Sequence, residues 1–251
     1  MQPKLELRNV SLAFGALKVT NDVSLSLAAG ARTALIGPNG AGKTTLINLI
    51  SGVLRPSSGS IRIDGRDVVR FNQDRRVKEG IGRTFQINRL FRDLSVEENL
   101  RIAVIQQQGR AHQLIGRRAV DDGIQEAVIR ILAQLGIADR AGTRVRHLAY
   151  GEQRLLEIAM ALALQPKVLL LDEPAAGVPK GESEIIIGTI ERLPKDLAVL
   201  LIEHDMDLVF RFASDIHVLA SGALIASGPA SEIARNERVR EVYFGRGKHG
   251  Q

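Results

Sequence analysis

The chain has 251 residues, 45% hydrophobic and 25% charged, with no cysteine. That composition supplies a sizeable apolar core and excludes a disordered chain, a collagen-like repeat and a disulfide scaffold. The net charge of +6 and isoelectric point near 10.0 admit nucleic acid, a membrane surface or small anions as partners. The charge is unevenly spread: residues 1–120 hold 19 basic and 9 acidic side chains, and residues 121–251 hold 15 and 19, so the excess belongs to the first half.

The opening residues, MQPKLELRNV, lack the basic n-region and apolar h-region of a secretory signal. Uninterrupted aliphatic runs reach only Val168–Leu171 and Leu197–Ile202, far short of the roughly 20 residues that cross a bilayer. A chain that does not span a membrane by itself is expected.

In chain order, residues 5–10 and 22–28 alternate as strands do, with Leu5 and Leu7, then Val23, Leu25 and Leu27, on single faces. Ala34, Leu35 and Ile36 form a short apolar run, followed by the Gly-rich stretch GPNGAGKTT and a periodic segment with Leu46, Leu49 and Ile50 that stops at Gly52. This reads as strand, loop and helix. Pro56 to Gly59 mark a turn, and Ile61 and Ile63 alternate before an Asp64-Gly65 turn, which points to antiparallel strands.

From Ser95 the texture is helical: Ser95, Val96, Glu97 and Glu98 match a capping box, and a polar stretch from Gln106 to Arg118 leads to a second helix over about 121–135. A third helix follows Glu152. Strand-like runs at 167–171, 197–202 and 216–219 then alternate with helical patterns at 181–193 and 205–213, the order of a parallel α/β sheet. The expected division is therefore 1–87, an antiparallel β-subdomain with the first half of the core, 88–163, a helical segment, and 164–251, the second half of the core with C-terminal helices.

Gly37, Pro38, Asn39, Gly40, Ala41, Gly42, Lys43 and Thr44 satisfy G-x-x-x-x-G-K-[ST] between a predicted strand and a predicted helix, the context that distinguishes a phosphate loop from a turn that merely caps a helix. The glycines let backbone N–H groups close around phosphate oxygens, and the helix N-terminus adds partial positive charge. Lys43 reaches the β- and γ-phosphates, and the Thr44 hydroxyl is placed to ligate Mg²⁺. Further along, Val168 to Leu171 deliver Asp172 and Glu173 at a strand's C-terminal end, where ligands of open parallel sheets bind. Asp172 suits a metal, directly or through water, and Glu173 suits the general base for the attacking water. A carboxylate pair at a strand end is ordinarily a solvated boundary; the phosphate loop reverses that preference.

No N-K-x-D guanine-reading tetrapeptide occurs, and Leu148, Ala149, Tyr150, Gly151, Glu152, Gln153, Arg154 precedes a helix shortly before the Asp172-Glu173 strand. Here the sequence resembles the ABC-type ATPases, the nucleotide-binding subunits of ATP-driven transporters, over nearly its whole length. The resemblance implies a P-loop NTPase (RecA-like) α/β fold with a small antiparallel subdomain and a helical insertion, and ATP and Mg²⁺ as ligands. It implies that Phe14 stacks on adenine, that Thr45 lies with the phosphate loop, that Gln86 in GIGRTFQ couples a metal to the helical subdomain, and that His204 in LLIEHDM contacts the γ-phosphate. It also implies a head-to-tail dimer in which Ala149, Tyr150, Gly151 and Glu152 of one cassette face the ATP of the other.

Two departures from the family pattern stand out. Ala149 replaces a serine and Tyr150 a glycine in L-S-G-G-Q, and Pro179 stands in place of an aspartate that bridges the cassettes. A lost hydrogen bond to a charged group is worth about 1.5–3 kcal/mol, although the Gly151 N–H and the helix N-terminus still face the anion in this reading. LAYGE-Q-R, DEPAAG, GIGRTFQ, LFRDLSVEENL and VREVYFG together look like the ATP-binding subunits of bacterial branched-chain amino-acid importers, with lipopolysaccharide-export and urea-import ATPases as alternatives.

That resemblance implies a second ATPase subunit, two integral permease subunits and, indirectly, an extracytoplasmic solute-binding protein as partners, and a peripheral location at the cytoplasmic face of the inner membrane. A poorly hydrolysing regulatory subunit is the alternative that Ala149 and Pro179 suggest. No nucleic-acid partner is expected, since Trp is 0 and Tyr is 2 and nothing offers stacking platforms. Between residues 61 and 120, 13 basic face 7 acidic side chains; most of this excess, with Arg110, Arg117 and Arg118, reads as a solvated or partner-facing surface on and near the helical insertion, where a membrane or permease would lie.

Overall fold

The computed structural model describes residues 2–84, 90–109 and 118–244. The early alternation folds into β1 (Leu5–Phe14) and β2 (Leu17–Leu27), an antiparallel hairpin in register Leu5↔Leu27 and Leu7↔Leu25. The apolar run Arg32–Ile36 is β3, and the periodic segment after the glycine loop is α1 (Lys43–Ser51), ended by Gly52 at φ +83°. β4 (Ser58–Ile63) pairs with the other edge of β1, and the Asp64-Gly65 turn, with φ of +49° and +78°, returns it into the two-residue β5 (Arg66–Asp67). The resulting sheet has the order β2-β1-β4-β5.

The second sheet carries the site. It comprises β3, β6 (Ile81–Arg83), β7 (Val168–Asp172), β8 (Ala198–Ile202), β9 (Asp215–Ala220) and β10 (Ala223–Pro229), ordered β10-β9-β3-β8-β7-β6, parallel except for β10. Because side chains alternate along a strand, this sheet serves two cores. Ala34, Ile36, Leu169 and Leu171 face one apolar cluster shared with the longer helices, whereas Leu35, Val168 and Leu170 face a second shared with α1 and the antiparallel sheet. Strands buried on both faces read as continuous aliphatic runs, as seen at β7 and β8.

The helices after residue 95 are α3 (Val96–Gln107), α4 (Arg118–Leu135) and α5 (Tyr150–Ala163), whose buried Leu100, Val128 and Leu156 belong to the first cluster. The foreseen capping box opens α3: Glu98 N–H donates to Ser95 Oγ (3.1 Å) and Ser95 N–H to Glu98 Oε2 (2.7 Å). α6 (Lys180–Glu191) and α7 (Met206–Phe212) separate the later strands, and α8 (Ala230–Ile233) and α9 (Glu237–Phe244) close the described chain.

The structure adds α2 (Gln73–Glu79), β6 and β10, which periodicity does not reveal. α2 buries a single side chain, Arg76, so it has no apolar stripe, and β10 has no fully buried residue. Arg76 also corrects the charge reading. It is fully buried and donates from Nη1 to the carbonyls of Leu49 and Ile50, from Nε to Phe71 and from Nη2 to Val69. Its guanidinium caps the C-terminal carbonyls of α1, where a cation is favoured. Part of the basic excess between 61 and 120 is therefore internal. Arg110 and Arg117 lie outside the described residues.

Candidate active site

The chain between β3 and α1 is the glycine loop, and its shape depends on two glycines. Gly42, at φ +101°, is the N-cap of α1, and a Cβ there would stand 2.9 Å from the Val19 carbonyl oxygen of β2; at Gly37 a Cβ would collide with the Leu219 carbonyl of β9. Backbone is thus pressed on from both sheets, leaving Asn39 and Gly40 exposed at the rim and Ala41 buried beneath. Lys43, 9% exposed, turns back into this loop, its Nζ donating to the carbonyls of Gly37 (2.6 Å) and Pro38 (3.1 Å). Burial lowers its pKa, and Glu173 and then Asp172 oppose that shift, so these carboxylates lie within electrostatic reach of the ammonium. Thr44 is exposed on the first turn of α1 and Thr45 is half-buried.

β8 separates β3 from β7, so its C-terminal end lies between the glycine loop and the carboxylate pair. Asp172 ends β7 in register with Ile202, buried, with its Oδ2 accepting from Arg83 Nη2 at 3.2 Å. Glu173 takes φ +48°, a left-handed conformation uncommon for a residue with a Cβ and concentrated at functional sites. Its N–H donates to the Ile202 carbonyl at 3.0 Å, anchoring the turn to β8. His204, exposed on the loop after β8, has Nδ1 3.8 Å from Glu173 Oε1. Lys43, Asp172, Glu173 and His204 are therefore gathered at the carboxyl ends of three adjacent strands, from sequence positions more than 160 residues apart.

Phe14 stands at the tip of the β1–β2 hairpin, 56% exposed, a position open to stacking rather than packed in a core. Gln86 lies outside the described residues. Ala149, Tyr150, Gly151 and Glu152 form the N-terminus of α5, and they form hydrogen bonds to Arg140, Arg154, Glu182 and one another. The Ala149 N–H donates to Glu152 Oε2 (2.8 Å), Arg140 Nε donates to Glu152 Oε1 (2.7 Å), and Arg154 Nη2 donates to the Tyr150 hydroxyl (2.6 Å). The Gly151 N–H, expected to face an incoming phosphate, donates to Glu182 Oε2 at 2.8 Å. Pro179 caps α6, its carbonyl accepting from Glu182 and Ser183 N–H at 2.9 Å.

Three residues at the site escape sequence reasoning: Arg83, Glu182 and the buried Glu203, whose Oε2 accepts the His204 N–H at 3.1 Å. Each acts through a contact that no local motif announces, although Glu203 sits inside the EHD tripeptide that drew notice to His204.

The donor set suits a hard divalent cation. Thr44 and Asp172 offer a hydroxyl and a carboxylate oxygen. That combination fits Mg²⁺, which is bound by few protein oxygens together with phosphates and waters.

A glycine loop between strand and helix, a buried lysine within it, and a carboxylate-tipped strand one place removed define a P-loop nucleotide-binding ATPase. The ABC transporter family profile matches residues 20–176, and that of the branched-chain amino acid ATP-binding cassette transporters matches residues 223–249. The chain is similar to the high-affinity branched-chain amino acid transport ATP-binding protein LivG of Salmonella typhimurium, 38% identical over 97% of this chain and 98% of that protein. Its fold is similar to that of MJ1267, an ATP-binding cassette of an ABC transporter solved in its ADP conformation, with a TM-score of 0.85 and 30% identity over 98% of this chain and 100% of the other. A bacterial ABC transporter cassette solved as a dimer, MJ0796, shares the fold at a TM-score of 0.75 and 22% identity, covering 90% of this chain and 98% of its own. The chain belongs to the ABC transporter family, as an ATP-binding cassette whose ATPase activity is coupled to transport.

Proposed function

We propose that this cassette hydrolyses ATP to drive import of branched-chain or chemically related amino acids. The convergence of Lys43, Asp172, Glu173 and His204 at the ends of β3, β7 and β8 carries the catalytic half of this reading, and full-length similarity to LivG carries the solute class. On ATP binding, Lys43 exchanges the carbonyls of Gly37 and Pro38 for β- and γ-phosphate oxygens, while the loop N–H groups from Asn39 to Thr45 and the N-terminus of α1 take the remaining oxygens. Phe14 stacks on the adenine. Thr44, Asp172 and Gln86 would hold Mg²⁺, which would supply neutralisation of the phosphate charge. Glu173 accepts the proton of the water that attacks the γ-phosphorus, and His204 holds the γ-phosphate, so that ADP leaves and inorganic phosphate is formed.

In this reading the active unit is a pair of cassettes, with residues 149–152 of each facing the ATP of the other. Residues 1–87 and 164–251 make the ATP-binding core and 88–163 the helical subdomain. The cassettes lie at the cytoplasmic face of the membrane on two permease subunits, which connect them indirectly to an extracytoplasmic solute-binding protein. Among the described residues no helix is long and apolar enough to cross a bilayer, consistent with peripheral attachment to such subunits. The contact of Glu182 with Gly151 favours a second reading, in which this chain's own phosphate loop is fully active but its α5 end serves the partner's ATP weakly. Co-purification with membrane subunits, followed by ATPase assay of the complex in vesicles, tests the assignment. Stimulation by leucine, isoleucine or valine with the binding protein supports it, and stimulation by urea or a lipopolysaccharide substrate instead overturns the solute class.

A further inference from the structure

We propose that Arg83 is a positioning residue of the divalent-metal site, fixing the helix that carries Thr44 against the strand end that carries Asp172. The inference rests on the metal roles proposed above for Thr44 and Asp172. Arg83 lies on β6, at the edge of the parallel sheet. Its Nη1 donates to Asn48 Oδ1 at 2.7 Å and to Ser51 Oγ at 3.2 Å, and its Nη2 donates to Asp172 Oδ2 at 3.2 Å.

Thr44, Asn48 and Ser51 are spaced four and then three residues apart on α1, so they share one helix face. The face that offers the Thr44 hydroxyl is therefore gripped, one and two turns further along, by the same guanidinium that holds Asp172. A planar fork can make both sets of bonds at once, which a lysine ammonium on a flexible stem cannot do with the same geometry. The pair is nearly dry: the Arg83 side chain is 11% exposed and that of Asp172 is 2%, so the charge-assisted bond is strong and directional. With Oδ2 engaged, the orientation of the carboxylate is fixed, as partners of metal-binding carboxylates do.

An ion pair that merely stabilises the fold would make the same contacts, so the test must separate metal binding from folding and from nucleotide affinity. Mn²⁺ binding to the full chain saturated with a non-hydrolysable ATP analogue, followed by EPR, reads the site without turnover. Arg83→Gln is expected to weaken Mn²⁺ binding about 10- to 100-fold, the usual effect of losing a partner of a metal ligand, with the affinity for ATP in EDTA unchanged. Arg83→Lys is expected to fall between the two.

If Arg83→Gln does not fold, the double variant Asn48→Ala, Ser51→Ala keeps the bond to Asp172 and removes the helix-side anchors, and it is expected to weaken Mn²⁺ binding in the same direction. Unchanged Mn²⁺ affinity in folded variants, or equal losses of Mn²⁺ and of metal-free ATP affinity, would overturn the proposal. Asp172→Asn separates the two levels. If it loses Mn²⁺ while the Arg83 variants do not, the positioning role alone fails; if it binds Mn²⁺ normally, the metal role of Asp172 fails and takes this proposal with it.

Discussion

The Gly151 backbone N–H donates to Glu182 Oε2 at 2.8 Å, so the N-terminus of α5 is occupied by a carboxylate from the first turn of α6. In the proposed cassette dimer, a partner's γ-phosphate arriving at that helix end would meet a negative charge already in place. Glu182→Gln keeps an acceptor for the N–H but removes the charge. Since a charge at a helix N-terminus is worth about 0.3–1 kcal/mol, ATP-dependent association, measured by sedimentation with Glu173→Gln to block turnover, should tighten by about two- to fivefold. Weaker association would mean that the charged contact is needed to hold α5 against α6.

Arg76 is expected to carry stability rather than catalysis. Its guanidinium serves four backbone carbonyls from α1 and the segment before α2, and burial pulls its pKa down to about 10. The unfolded chain therefore holds this proton more tightly than the folded one, and the cost of the buried charge is relieved only above about pH 10. Arg76→Met should destabilise the chain by at least about 1.5–3 kcal/mol, the value of one hydrogen bond to a charged group. The loss in urea denaturation should be equal at pH 6 and pH 9.

Glu203 supplies a pH dependence of the opposite kind. Burial raises its pKa above 4.5, against the favourable backbone N–H of His204 and that residue's ring. The folded chain binds this proton more readily than the unfolded one, so the stability it contributes is full below about pH 4.5 and is lost as pH rises through the raised value. Glu203→Gln should therefore gain thermal stability relative to the unsubstituted chain as the pH is raised from 5 to 8. Parallel melting curves across that range would contradict the buried charge.

The difference between Lys43 and Arg83 explains how much was legible in the sequence. Lys43 sits in a local pattern whose meaning depends on neighbours within eight positions, and the strand before it and helix after it are each marked by apolar spacing. The same holds for the capping box at Ser95 and the aliphatic runs of β7 and β8. Arg83 acquires its place only when β6 is set beside β7, bringing it to Asp172 across 89 positions, and nothing local signals that. Glu182 likewise reaches Gly151 across 31 positions. α2 was recoverable from its punctuation, Asn72 accepting from the Arg75 N–H at its start and Gly80 at φ +112° at its end, but its lack of an apolar stripe hid it. A charge count does not distinguish the buried Arg76 from surface arginines, because composition carries no information about burial.

Glu173 is the proposed base of an ATPase site built on Lys43, Asp172 and His204. Single-turnover hydrolysis by Glu173→Gln, assembled with its partner subunits and with ATP affinity measured alongside, tests it most directly. Retained ATP binding with hydrolysis slowed about 10²- to 10⁴-fold, the contribution of a general base, is the predicted result. Hydrolysis at the unsubstituted rate, at unchanged ATP affinity, would contradict it.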